Sequence, residues 1–473
     1  MAGRPAACHP RHDKLRRVFN SFLPTLATPL RNFRVIKNDR HENKSVAHHD
    51  APHSSLANDS LGWSLLLASR VLAAVYQGKS LNEALGLLGE ELPPARAAAQ
   101  DVAYGVLRQF CRGDIVLGQL MQKPLTHAET RALLHAALYR LETRPEAAHT
   151  VVDQAVKAAG ELAGGVFKGV VNGVLRNYLR RREELLAKVM VNEEAHYQHP
   201  NWWLARLRRR WPQQWESIVA ADNGAPPMTL RVNRGRASVD AYRQRLESVG
   251  MLVHPVGSNG LRLEQAVPVD QLPGFLDGDV SVQDAGAQRA AELLAPDDGM
   301  RVLDACAAPG GKAAHLAELA NIELLALDID AVRVRRIEDT FRRLHLAGDI
   351  RVGDAAQPAT WWDGLAFDLI LADVPCSGSG VVRRHPDIKL LRRESDIRQF
   401  AKTQAAILDA LWSLLKPGGR LLYATCSVFV EENQAQIDAF AVRQSGVLRL
   451  SEEQWLPCDE NDGFYYALLG KAD

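Results

Sequence analysis

Two tripeptides carry the thiols with the clearest chemical placement. Pro375-Cys376-Ser377 follows Leu369-Ile370-Leu371-Ala372-Asp373, and Thr425-Cys426-Ser427 follows Leu421-Leu422-Tyr423-Ala424. Each apolar run reads as a buried parallel strand, so each cysteine falls just past a strand's carboxyl end, where open α/β sheets place their ligands. Two thiols delivered to one sheet edge suggest covalent catalysis by cysteine. The alternative, two small buried hydrophobes, fits poorly with polar, serine-bearing loops. Asp373 ends the first of these strands and can hydrogen-bond a substrate edge. Free cysteine has a pKa of about 8.5, so the pocket must favour the thiolate, and Lys312 is a candidate cation for that task.

A third loop says what the thiols work beside. Val302-Leu303-Asp304 runs into Cys306-Ala307-Ala308-Pro309-Gly310-Gly311-Lys312, and a helix follows. Glycines at a strand-to-helix turn let the backbone approach a ligand, and the helix start offers free N–H donors. Asp328 ends the next strand, placed for the two hydroxyls of a ribose. Asp354, after the third strand, is placed to meet an adenine amino group or else serves as a turn residue. This pattern fits NAD, FAD or S-adenosylmethionine. The loop is neither Gly-x-Gly-x-x-Gly nor a phosphate loop, which weakens the dinucleotide reading.

The elements that must position these loops are legible from periodicity. Beyond residue 275, strands are expected at 301–304, 323–328, 349–353, 367–373 and 419–425. Helices are expected at 311–320, 331–345 and 398–415, and Lys416-Pro417-Gly418-Gly419 reads as the turn ending the last one. Closing strands fit near 446–450 and 464–469. This is an α/β, Rossmann-like domain over 276–473. Residues 58–190 carry helical spacing without strand signals: a helix capped by Asn58-Asp59-Ser60, then helices at about 95–110, 127–141, 149–163 and 166–187. Residues 191–275 read as a small α+β domain with a strand at 228–233. In it, Trp202, Trp203, Arg206, Arg208, Arg209, Arg210 and Trp211 suit either RNA stacking or a helix with core tryptophans and solvated arginines.

Composition bounds the rest. The chain has 473 residues and a formal net charge of +1. Residues 1–56 hold 10 Lys/Arg against 4 Asp/Glu, and the remainder 47 against 52. Segment 1–57 therefore reads as a disordered basic tail, and any basic surface beyond it must be local. No apolar run is long enough for a membrane span, and no secretory leader is recognisable. The six cysteines are scattered with no Cys-x-x-Cys, which argues for free thiols in a reducing cytoplasm and against a metal site.

In combination these motifs resemble the Sun family of RNA cytosine-C5 methyltransferases. The resemblance rests on Asp304-x-Cys306-Ala-Ala-Pro-Gly-Gly-Lys312, Asp373-Val-Pro-Cys376-Ser377, Arg383-Arg-His-Pro-Asp-Ile-Lys389, Thr425-Cys426-Ser427 with Glu431-Glu432-Asn433, and Asp462-Gly-Phe464. Upstream, Pro226-Pro-Met-x-Leu-Arg231-Val-Asn233 and Val282-Gln283-Asp284 also fit, and Phe167-Lys168-Gly-Val-Val-Asn172 resembles a NusB-like RNA-binding bundle. The resemblance covers roughly 60–470. It implies S-adenosylmethionine as cofactor, held by residues 306–312, Asp328, Asp354 and Asp373. It implies 16S rRNA as partner and a monomer in the cytoplasm. It implies Cys426 as nucleophile, with Cys376 assisting product release, whereas DNA cytosine methyltransferases would nominate Cys376. Asp373 would contact the base, and Arg231, Arg383, Arg384, His385 and Lys389 would contact RNA. A non-catalytic RNA-binding factor, a tRNA or DNA methyltransferase and a nicotinamide oxidoreductase are the competing readings; the last has no use for two strand-end cysteines.

Overall fold

The computed structural model describes residues 56–89 and 91–473. Cys8 and nearly all of the basic segment 1–57 lie outside the described residues.

Ser60 opens the first helix, Leu61–Tyr76, by accepting the Trp63 N–H, as its residue type requires. Helices Pro93–Arg108, Ala128–Thr143, Ala148–Gly160 and Lys168–Val191 follow at the expected places. Val71, Leu133, Ala155, Leu175 and Tyr178 are among the side chains of their common core. Two short helices were not anticipated, Leu81–Leu85 and Arg112–Leu120. The second buries only Val116 and Leu117 and carries Gly113 and Gly118, so its periodic signal is weak.

Helix Asn201–Arg210 carries most of the tryptophan and arginine cluster and puts part of it in the core. Trp203, Leu204 and Leu207 are buried with Ile218, Val219, Ile388 and Phe429. Arg206 pairs with Glu431, and Arg208 pairs with Glu193 and stacks on Trp215 at 4.2 Å. The RNA-stacking alternative does not hold for Trp203, whose ring is wholly covered.

The middle region forms an antiparallel sheet of strands β1 (Thr229–Val232), β2 (Val253–Val256), β3 (Gly260–Leu263) and β4 (Val280–Val282), in the order β2-β3-β1-β4. The fourth strand lies past the boundary expected at 275.

The third region is a seven-stranded sheet: β5 (Arg301–Asp304), β6 (Glu323–Asp328), β7 (Asp349–Val352), β8 (Phe367–Asp373), β9 (Leu415–Thr425), β10 (Val447–Trp455) and β11 (Phe464–Lys471). Its order is β10-β11-β9-β8-β5-β6-β7, with β9, β8, β5, β6 and β7 parallel and β10 and β11 antiparallel. Both faces are covered: Ile370 and Ala372 of β8 enter one core layer, Leu369 and Leu371 the other. The chain leaves β5 toward β6 and β7, then returns to β8 and β9 on the other side. That reversal opens a crevice at the carboxyl ends of β5 and β8. The expected turn at 416–419 falls inside β9 instead. Leu415 pairs with Phe367 while Arg420 pairs with Leu369, so residues 416–419 bulge out of an otherwise continuous strand.

The three regions meet at one seam. The Leu81 N–H donates to Asp387 (3.0 Å), Arg108 Nη2 to the Arg383 carbonyl (3.2 Å), and Lys389 Nζ to the Arg108 carbonyl and Asn223 Oδ1 (3.0 and 2.8 Å).

Candidate active site

The thiols of Cys376 and Cys426 are 3.3 Å apart. Strands β8 and β9 are parallel neighbours, with Asp373 opposite Ala424, so the loops leaving them emerge side by side. A single buried carboxylate ties the loops together. Glu432 accepts from the Ser377 N–H (2.7 Å), Ser377 Oγ (2.5 Å), Ser427 Oγ (2.6 Å) and Gln404 Nε2 (3.3 Å). Asn433 adds bonds to Thr425 Oγ1 and the Ser427 carbonyl.

The hydrogen bond with Cys426, then burial and the Glu432 charge, push the Cys376 thiol well up, so it holds its proton. Cys426 instead lies within the field of the Lys312 ammonium. Lys312 Nζ donates to Asp373 Oδ2 at 2.6 Å. Burial would lower the pKa of that ammonium, but the Asp373 carboxylate outweighs it and the net shift is upward. Asp304, the last residue of β5, is wholly buried; burial and then the charge of Asp373 push its carboxyl up to about 8.

Cys376, Cys426, Lys312 and Asp373 line a cavity of about 640 Å³ whose wall also includes Cys306, Ala308, Pro309, Asp328, Asp354 and Phe464. Gly310 turns the chain from β5 into helix Gly311–Leu319 at φ +98°, and a Cβ there would sit 3.2 Å from Ile337 Cα. Only glycine suits that turn. Asp328 is buried and accepts from the Ala308 and Asp330 N–H groups. Asp354 fills the turn role, capping through the Ala356 N–H, and also lines the cavity. Burial holds the Cys306 thiol well above its ordinary pKa.

Of the five residues expected to touch RNA, three are committed elsewhere. Arg231 is buried against Glu318 (2.7 Å), Gln283 (2.6 Å) and the Gly311 carbonyl (2.6 Å). Arg383 is buried against Asp462 and the Cys458 carbonyl, and Lys389 is buried at the seam. Their charges are neutralised or spent on carbonyls inside the protein, so the expected RNA contact gives way to a structural role. Arg384 and His385 do reach the cavity. Arg384 is shared between Asp284 and Asp462, while burial keeps His385 below its ordinary pKa. Burial and then Asp462 push the Asp284 carboxyl up to about 6. Glu432, Asp284 and Asp462 lay in motifs visible in the sequence, but their roles appear only when their partners are placed.

The chain is 43% identical over 420 residues to the ribosomal RNA small subunit methyltransferase B of Erwinia tasmaniensis, covering 86% of this chain and 98% of that one. It belongs to that family. The protein of the same name from Vibrio cholerae is 42% identical over 428 residues, 87% of this chain and 99% of the other. Residues 291–470 match the 16S rRNA methyltransferase RsmB/F family, 199–270 the RsmF/B-like ferredoxin-like domain, and 64–180 the NusB family. Among solved structures, a methyltransferase homolog protein from Pyrococcus horikoshii aligns with a TM-score of 0.53 and 27% identity, over 60% of this chain and 98% of its own. The family uses S-adenosylmethionine. Among the described residues, no helix is long and apolar enough to cross a membrane.

Proposed function

We propose that this chain methylates C5 of a cytosine in 16S rRNA, in the cytoplasm, through a covalent bond from Cys426 Sγ to cytosine C6. The observation that carries this reading is the contact between two thiols at the rim of a cavity that also holds Asp373, Lys312 and Asp328.

The residues fit S-adenosylmethionine. The cavity is large enough for a nucleoside. Asp328 offers a buried carboxylate for a ribose diol, Gly310 permits close approach, and Asp354 sits where an adenine edge would lie. Bound there, the cofactor supplies an electrophilic methyl group on a sulfonium.

C5 of cytosine is a weak nucleophile. Addition of the Cys426 thiolate at C6 moves electron density onto C5 and divides one hard step into easier ones. Lys312 stabilises that thiolate and, through its ion pair, holds the Asp373 carboxylate at the cavity wall, able to accept from the exocyclic amine of the base. Cys376, touching Cys426, acts at the later step, when solvent water takes the C5 proton and the C6–Sγ bond breaks to release Cys426 as a thiolate. The base must be extruded from its stack to reach this cavity. Resemblance to the RNA methyltransferase family, whose Thr-Cys loop Thr425-Cys426-Ser427 matches, favours Cys426 over Cys376 as nucleophile.

The test is covalent trapping. With 16S rRNA and S-adenosylmethionine, Cys376→Ala should accumulate an RNA–protein adduct on a denaturing gel, and Cys426→Ala should form none. The opposite pattern reverses the two roles. Bisulfite mapping of treated rRNA should reveal one newly protected cytosine; protection of none defeats the C5 assignment.

A further inference from the structure

A second hollow opens beside the catalytic cavity. It holds about 500 Å³ and is lined by Asp101, Tyr104 and Arg108 of helix Pro93–Arg108 together with Pro226, Arg384 and His385. Arg384 and His385 line both hollows, so the two lie against the same side chains. One wall thus comes from the helical region and the other from the catalytic region.

The chemistry of this wall suits a nucleotide. The Arg108 guanidinium lies 5.5 Å from the centre of the Tyr104 ring. It pairs with no carboxylate among the described residues: Nη2 donates to the Arg383 carbonyl, and buried Nε has no hydrogen-bond partner. The one acid in the groove, Asp101, is engaged by Arg140 at 3.0 Å. Burial pushes the Tyr104 hydroxyl's pKa up, so it remains a donor. A cation free of carboxylate, a flat ring and a phenol make a binding surface for a phosphate and a base. The volume is that of a small-ligand site, not of a protein interface. An extruded base drags its neighbours with it, and this hollow adjoins the catalytic cavity at Arg384 and His385.

We infer that Tyr104 and Arg108 seat a nucleotide flanking the target cytosine, making the helical region part of the substrate site. This rests on the methyltransferase reading above.

The experiment uses the full chain and a 16S rRNA fragment containing the mapped target. Tyr104→Leu and Arg108→Gln should each raise KM for RNA about tenfold, the scale of one lost base-stacking contact. For Tyr104→Leu, kcat and the dissociation constant for S-adenosylmethionine should stay within about twofold, because Tyr104 does not line the catalytic cavity and makes none of the seam bonds. Independently, 4-thiouridine placed next to the target should crosslink to the peptide 93–108 in the unaltered enzyme. Unchanged KM in both variants, or crosslinks confined to other peptides, overturns the inference. The Cys376→Ala trap separates the two failures. An adduct with no flanking contact at 93–108 removes only this groove; no adduct with any rRNA fragment removes both.

Discussion

At the residue scale the site depends on one carboxylate that touches neither sulfur. Glu432 bonds to the serines following both cysteines, so it sets the spacing of the two loops. Burial raises its pKa while four donors hold it in place. Glu432→Ala leaves two buried hydroxyls, an N–H and an amide without this acceptor, at about 1–3 kcal/mol each where the loss is not relieved by water. We expect the variant to lose about 2–4 kcal/mol in urea unfolding and at least about a hundredfold in kcat, with Glu432→Gln in between. Near-normal kcat in a folded Glu432→Ala protein shows that the loops are registered by something else. The cysteines themselves were legible in the sequence because a strand end followed by a polar loop is a local pattern. Arg231 and Arg383 were not. A buried arginine and a solvated one are spelled alike, and the carboxylates that neutralise these two lie 87 and 79 residues away.

At the scale of elements, the small antiparallel sheet braces the glycine turn. Arg231 of β1 holds the Gly311 carbonyl and Glu318, both on the helix that begins at the turn. Removing one partner of a buried ion pair costs about 3–5 kcal/mol, because the other charge is left unpaired. Arg231→Met should therefore lower stability by about that amount and weaken S-adenosylmethionine binding at least about tenfold by calorimetry. Unchanged binding in a folded variant shows that the turn holds itself. Strands β5, β6 and β8 stood at their expected positions because each is a short apolar run bounded by turn residues, the pattern of a doubly covered sheet. The bulge in β9 was read as a turn because Pro-Gly-Gly signals chain reversal locally. The chain does loop out there, but Leu415 and Arg420 on either side both pair with β8, so the strand resumes in the same sheet. Strand β4 was missed because three residues carry too little alternation to register.

At the scale of the whole molecule, Lys389 joins three regions from a buried position. Burial pushes its ammonium down to about 7, against the pull of Asp222 and with the push of Arg108; neutral His199 stands in the same cluster. Its ordinary value is 10.5. Between those two values the unfolded chain binds a proton that the folded chain does not. The contribution of Lys389 to stability therefore increases with pH across that window, by up to about 1.4 kcal/mol per pH unit, and is flat below it. Urea unfolding at pH 7.5, 8.25 and 9 should give a shallower rise for Lys389→Met than for the unaltered protein. Identical slopes mean that the folded protein keeps this lysine charged.

The ion pairs of Asp462 carry a consequence for biosynthesis. This residue fixes Arg383 and Arg384 beside the cavity, and β11, which follows it, pairs with the strand that bears Cys426. Ribosomes deliver residues in order, so both thiols, the glycine turn and the helical bundle all emerge before the segment that locks them together. A nascent chain paused ahead of that segment would already display its helical bundle while its chemistry was still unassembled.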